Sequence, residues 1–257
     1  MEHIDHVFSE FIQQGVIKDD ILDMMEQFGL IAKFTPSPSD VKYFVPAQLE
    51  LSPEDFCQMD PSHTDPCPLY LHFVHGFVPH GLFSLLVSRT IRWCCKKTWP
   101  REQPKLYQNG ACFFIGKQVH HFILICKKSF VKIVLRNLEA QSHQVSAEKS
   151  EELATQVREF VEVTLQTLSQ ELPYLSGLQY ELCVACPYCH QGTDEGSQEC
   201  PKHGRVLCDD EECFHPLEVK QSQALICKKR FWDKVRTVAG LEKWFIKRRS
   251  QVCDLYD

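Results

Sequence analysis

The sequence predicts an α+β protein, with a winged-helix-like N-terminal subdomain followed by an antiparallel sheet with packed helices and a zinc-binding excursion. Three observations carry that prediction. Residues 79–93 form an unbroken apolar helix pattern. Residues 107–138 hold three strand-like runs in succession. Residues 186–215 crowd cysteine and histidine at metal-ligand spacing.

The N-terminal fifty residues read as two short amphipathic helices, 3–14 and 19–28. In the second, Ile21, Leu22, Met25 and Phe28 make one stripe, and Gly29 stops it. Two short strands follow, LIAKF and VKYFV, with TPSPSD between them as a loop. Helices followed by a small hairpin are the pattern of a winged helix, a unit that often binds DNA. Here Lys18, Lys33 and Lys42 are scattered among acids, and the second helix is itself acidic. A recognition helix needs a positive footprint to offset phosphate charge, so nucleic acid is not the expected partner of this unit.

Residues 50–68 hold four prolines and five acids and read as a linker or exposed loop dividing residues 1–50 from a second unit, 67–257. That unit opens with an extended segment, LYLHF, and the helix at 79–93. The helix follows a proline, and Leu82, Phe83, Leu85, Leu86, Val87, Ile91 and Trp93 cover most of its circumference, so it is either buried or an interface. The strand readings rest on period two. Val131, Ile133 and Leu135 share one face while Lys132 and Arg136 take the other, which predicts one dry and one wet face. Asn109-Gly110, Gly116-Lys117 and Lys127-Lys128-Ser129 are the expected turns. After a polar loop at 139–146, the stripe Leu153, Val157, Phe160, Val161, Leu165, Leu168 and Leu172 defines a long amphipathic helix with Ser146 as its N-cap and Pro173 at its end. A last strand, 178–186, alternates Leu178, Tyr180, Leu182 and Val184 against Gln179, Glu181 and Cys183.

Several of these segments carry a resemblance. FVPHGLFSLLVSRTIRW, preceded by YFVPAQL at Tyr43–Leu49, resembles the COR (C-terminal of Roc) region of Roco proteins, and GVIKDDILDMMEQFGLIAKF at Gly15–Phe34 resembles its first subdomain. The resemblance covers most of residues 3–185 and rests on patterns of apolar and turn residues. It implies a non-enzymatic dimerisation and signal-transmission module that works beside a Roc-type GTPase domain in cis, with a chain that begins inside the COR region and lacks that GTPase domain. It also implies a homodimer built through the second subdomain.

The last strand delivers the chain to CPYCHQGTDEGSQECPKHGRVLCDDEECFH. Cys186 and Cys189 are separated by two residues, as are Cys200 and His203. A tight turn lets ligands at i and i+3 hold one side of a zinc ion, and a second such turn completes the tetrahedron. The expected structural zinc ligands are therefore Cys186, Cys189, Cys200 and His203, with Cys208 and Cys213 as alternates and His190 and His215 nearby, and the resemblance to Roco proteins implies Cys227 as a further alternate. Two rivals stay open, a redox Cys186–Cys189 pair and unliganded cysteines in a loop. No thioredoxin-like βαβ pattern surrounds the pair to favour redox chemistry. The glycines and acids between the pairs cannot build a core, so a metal would be their organiser.

From Leu225 onward nine lysines and arginines face four acids, in a chain of net charge −6. Phe231, Trp232, Trp244 and Phe245 lie among them. Such a tail could bind nucleic acid or an anionic surface, although a solvated helix or frayed end is the plainer expectation. Apolar content of 44% and charged content of 24% are those of an ordinary globular protein. No apolar run approaches the ~20 residues of a membrane span, and MEHIDHVFSEF is not a signal peptide, which predicts a cytoplasmic protein with reduced cysteines. Phosphate-binding loop, nucleophile-elbow, HExxH and kinase motifs are absent. His72, His75, His80, His120 and His121 lack a partner pattern. No enzyme activity is therefore expected.

Overall fold

The computed structural model describes residues 9–37, 40–57, 59–97, 103–115, 119–138, 147–186, 200, 202–204, 208–219, 225–226, 235–236 and 238–246. Among these residues the protein is α+β, with five α-helices and a seven-stranded antiparallel sheet.

Two helices open the described chain, α1 (Ser9–Gln13) and α2 (Lys18–Gln27). Residues 3–8 of the expected first helix, 3–14, lie outside the described residues. Gly29 ends α2 with φ +69°, donating its N–H to the Glu26 carbonyl while Leu30 donates to Met25 at 2.9 Å. These two bonds make a Schellman closure, which only a residue at ease with positive φ completes cheaply. An antiparallel hairpin follows, β1 (Ala32–Ser37) and β2 (Asp40–Phe44). The strands run further into TPSPSD than the prolines predict, and the register shifts between Phe34 and Ser37.

The main sheet contains β3 (Leu69–Phe73), β4 (Lys105–Leu106), β5 (Gly110–Ile115), β6 (His120–Cys126), β7 (Phe130–Asn137), β8 (Tyr180–Ala185) and β9 (Pro216–Glu218). Their order is β4-β5-β6-β7-β3-β8-β9, so the extended segment at 69–73 is a central strand between β7 and β8. A short pair, β10 (Leu225–Ile226) with β11 (Val235–Arg236), is separate. Helices α4 (Leu82–Lys97) and α5 (Ala147–Glu171) follow the short α3 (Glu54–Cys57). They cover one sheet face. Leu106, Ala111, Leu124, Ile133 and Leu69 form one cross-strand row beneath them. The α5 stripe is buried as its spacing predicts, with Val157, Val161, Leu165 and Leu168 in the core. Its expected N-cap, Ser146, lies outside the described residues. Helix α4 is buried rather than left as a surface. It meets the sheet, α5 through Trp93 stacked on Phe160 at 4.5 Å, and the N-terminal hairpin.

The expectation of one wet sheet face is corrected by the structure. Strand β7 is buried on both faces from Phe130 to Leu135, and Lys132 is 1% exposed. Two segments cover the second face. One is the supposed linker. Phe56 packs there with Cys112, Ile123, Ile125 and Val134, and Asp65 is buried while accepting the Asn137 N–H at 2.9 Å. The other is the Cys/His-rich segment described below.

The basic tail is likewise not a frayed end over 238–246. Val238, Leu241 and Trp244 join the core, and Trp244 is fully buried. The Arg158 guanidinium lies over the Phe245 ring, 4.7 Å from its centroid. Phe231 and Trp232 lie outside the described residues. No helix among the described residues is long and apolar enough to cross a membrane.

Candidate metal centre

Residues 208–219 return along the second sheet face. The turn Cys200–Gly204 closes through its own backbone, with the N–H groups of His203 and Gly204 donating to the Cys200 carbonyl at 3.2 and 2.6 Å. Gly204 takes φ +61°, a value that suits its missing side chain. A second turn closes at Asp210, whose carbonyl accepts the N–H of Cys213 at 2.9 Å and of Phe214 at 2.7 Å. That turn folds Cys213 back beside Cys208.

The result is a Cys3His cluster. One ligand atom each from Cys200, His203, Cys208 and Cys213 lies within 4.8 Å of the others. His203 Nδ1 stands 3.7 Å from Cys200 Sγ, 3.3 Å from Cys208 Sγ and 3.7 Å from Cys213 Sγ. Zinc bonds of about 2.3 Å to sulfur and about 2.0–2.1 Å to nitrogen, at tetrahedral angles, separate sulfur from nitrogen by about 3.6 Å. The cluster therefore has the dimensions to hold a metal such as zinc. Cys200 and Cys208 are buried, and Cys213 and His203 are half-buried. The Nε2 side of His203 faces Asp210 at 3.7 Å, so a carboxylate stands behind the imidazole as in many zinc sites.

The thiols respond to one another. Burial pushes Cys200 up, but hydrogen bonds from His203, the Lys202 and His203 amides and Cys208 outweigh it and bring its pKa down to about 7. Cys208 is pushed up to about 12, first by burial and then by its sulfur neighbours. Cys213 is raised, again by burial first. Three thiolates in one pocket repel each other, and a divalent cation is what lets them ionise together.

The cluster is tied to the sheet at four places. Asp209 Oδ2 lies 3.3 Å from Lys132 Nζ on β7. Glu211 accepts the Ser129 N–H at 3.1 Å. The Phe214 ring sits on Tyr70 and Phe130, with centroids 4.7 and 4.6 Å apart. Strand β9 pairs with β8, and the Cys186 N–H donates to the His215 carbonyl at 2.9 Å.

Of the four expected ligands, Cys200 and His203 are brought together. Cys186 is buried at the end of β8 on the helix-side core and is not among the clustered four. Cys189 lies outside the described residues, as do His190 and Cys227. The alternates Cys208 and Cys213 take the remaining places. Their four-residue separation hides them from a search for two-residue pairs, although CPKHGRVLCDDEEC holds all four ligands within one short run.

The sequence matches no protein-family model and no curated protein.

Proposed function

We propose that this chain is a non-catalytic, zinc-stabilised module for dimerisation and signal transmission, of the COR type found beside Roco GTPase domains. The observation that carries the non-catalytic reading is the closed Cys3His cluster. Four protein ligands at tetrahedral spacing leave zinc no open position for water or substrate. The ion's work is then to hold residues 208–219 over the sheet.

The transmission reading is supported by the seam between the N-terminal hairpin unit, which is winged-helix-like in element order, and the sheet unit. A β-carbon on Gly29 would meet the Leu85 side chain of α4 at 2.2 Å, so the two units approach as closely as a glycine allows. Arg92 of α4 pairs with Glu26 of α2 at 3.0 Å, and Arg89 pairs with Glu171 at 2.5 Å. These pairs line a cleft of about 460 Å³. Exposed apolar side chains remain at Ile17, Met24, Phe28 and Leu30 on the N-terminal unit and at Val74, Phe77 and Tyr174 near one end of the sheet. They are available for a second copy.

A nucleic-acid reading loses part of its support from Trp244, which is buried and offers no stacking face.

Native mass spectrometry of the chain tests the proposal, since it reads metal content and subunit number together. One zinc per chain in a dimer is expected. A monomer carrying zinc would remove the dimerisation reading and leave the structural metal, while a metal-free chain would remove the metal.

A further inference from the structure

Lys132 is the least expected residue of the sheet. It sits mid-strand in β7, and the register places it beside Tyr70 on β3 and Ile125 on β6, in a row that continues to Gly110 on one side and Cys183 on the other. Its apolar neighbours leave it 1% exposed. An ammonium buried that deeply needs counter-ions. Among the described residues it has two, and they arrive from different covers of the same face. Asp209 Oδ2, on the residue after the ligand Cys208, is 3.3 Å away. Asp60 Oδ1, from the segment that joins the two units, is 3.5 Å away. Asp209 is 2% exposed and Asp60 32% exposed. The Tyr70 hydroxyl in the same row finds no hydrogen-bond partner among the described residues.

We infer that Lys132 is a positioning residue shared by the metal loop and the connecting segment, so that zinc binding at the Cys3His cluster and seating of residues 59–66 on the sheet are thermodynamically coupled through its ammonium. The inference rests on the zinc reading above. Its logic is charge balance. Zinc fixes Cys208, Cys208 fixes the backbone of Asp209, and Asp209 holds Lys132 where Asp60 meets it. If the metal loop lifts, Lys132 keeps only a partly hydrated partner. Coupling of this kind is reciprocal, so loss of the Asp60 contact weakens zinc as well. It gives the metal a second role, because the segment it steadies is the one that leads from the N-terminal unit to the sheet.

The test uses the full chain and zinc alone. Zinc affinity is read by competition with a chromophoric chelator, and hydrogen exchange of residues 59–66 is read without zinc and at saturation. In the wild type, zinc is expected to slow exchange at 59–66 severalfold while leaving β5 and β6 unchanged. Lys132→Met and Asp209→Asn should each weaken zinc about 10- to 100-fold and abolish that protection. The double variant leaves no unpaired buried charge, so it should bind zinc no more weakly than the worse single. Should Lys132→Met fail to fold, Asp60→Asn serves instead. It should weaken zinc by the same severalfold factor by which zinc protects 59–66 in the wild type, as reciprocity requires, and lose the zinc-dependent protection. The inference is overturned if the variants bind zinc as the wild type does, if the losses add in the double variant, or if zinc leaves 59–66 unprotected. A wild type that binds no zinc overturns the metal reading together with this one, and a wild type that binds zinc with an unprotected 59–66 overturns this one alone.

Discussion

The indole N–H of Trp244 donates to the backbone carbonyl of Cys67 at 2.7 Å, joining residues 177 apart in sequence. The bond fastens the C-terminal turn Glu242–Phe245 to the start of the sheet unit. Around it, Arg158 donates to the Trp244 carbonyl at 2.9 Å, and Gly240 passes so close to Cys67 that a β-carbon would lie 2.9 Å from the Cys67 nitrogen. Truncating Trp244 removes a fully buried aromatic and orphans a carbonyl. Trp244→Ala is therefore expected to cost about 3–5 kcal/mol, read as a lower urea midpoint. A cost near zero would mean that the tail is dispensable to the core.

Gly29 faces two demands at once, positive φ and contact with Leu85. Gly29→Ala should destabilise by roughly 1–3 kcal/mol, combining left-handed strain with overpacking. Leu85→Ala in the same background makes room for the new methyl. Part of the Gly29→Ala loss should then disappear, so that the double variant costs less than the sum of the singles. Strict additivity would contradict the contact.

The connecting segment also bears on stability. Asp65 is buried and accepts hydrogen bonds from the N–H groups of Asn137 and Ser62 and from the Ser62 hydroxyl. Asp65→Ala should cost about 1–3 kcal/mol, because three hydrogen bonds to a buried charged acceptor are lost. An unaltered melting temperature would return residues 59–66 to the status of a spacer.

Thiol titration gives the pH dependence a definite sign. Cys200 ionises near 7 in the folded chain against an ordinary 9, so its contribution is complete above pH 9 and is lost as pH falls through 7. Cys208, held protonated until about 12, contributes fully below pH 9 and loses that contribution as pH rises toward 12. With a chelator present, the urea midpoint should rise from pH 7 to 9, and Cys200→Ser should flatten that rise relative to wild type. With zinc, affinity should climb as pH rises from 5 to 8, because the metal displaces protons from its thiols. A pH-independent zinc affinity would mean that thiolates are not the ligands.

Much of this architecture is legible in the sequence because periodicity reports burial. The α5 stripe and the glycine that ends α2 lie where their spacing puts them. The second sheet face is not legible in the same way. Lys132 occupies a polar position in a period-two pattern, and polarity alone cannot distinguish a solvated lysine from one neutralised by Asp209 and Asp60. The proline- and acid-rich composition of 50–68 conceals Phe56 and Asp65, whose burial depends on strands more than fifty residues away. In the metal cluster, the tight turn at Cys200–His203 is visible from spacing. The pairing with Cys208 and Cys213 depends on the turn closed by the Asp210 carbonyl, which two-residue spacing does not signal.

The central claim is that Cys200, His203, Cys208 and Cys213 close around one metal ion and hold the 208–219 segment on the sheet. Cobalt(II) in place of zinc tests it most directly, through thiolate-to-cobalt charge-transfer absorption compared between wild type and Cys208→Ser. The account predicts a tetrahedral cobalt spectrum with three thiolates in the wild type, and a loss of about one third of the charge-transfer intensity in the variant. Full intensity in Cys208→Ser, or no tetrahedral cobalt in the wild type, would contradict it.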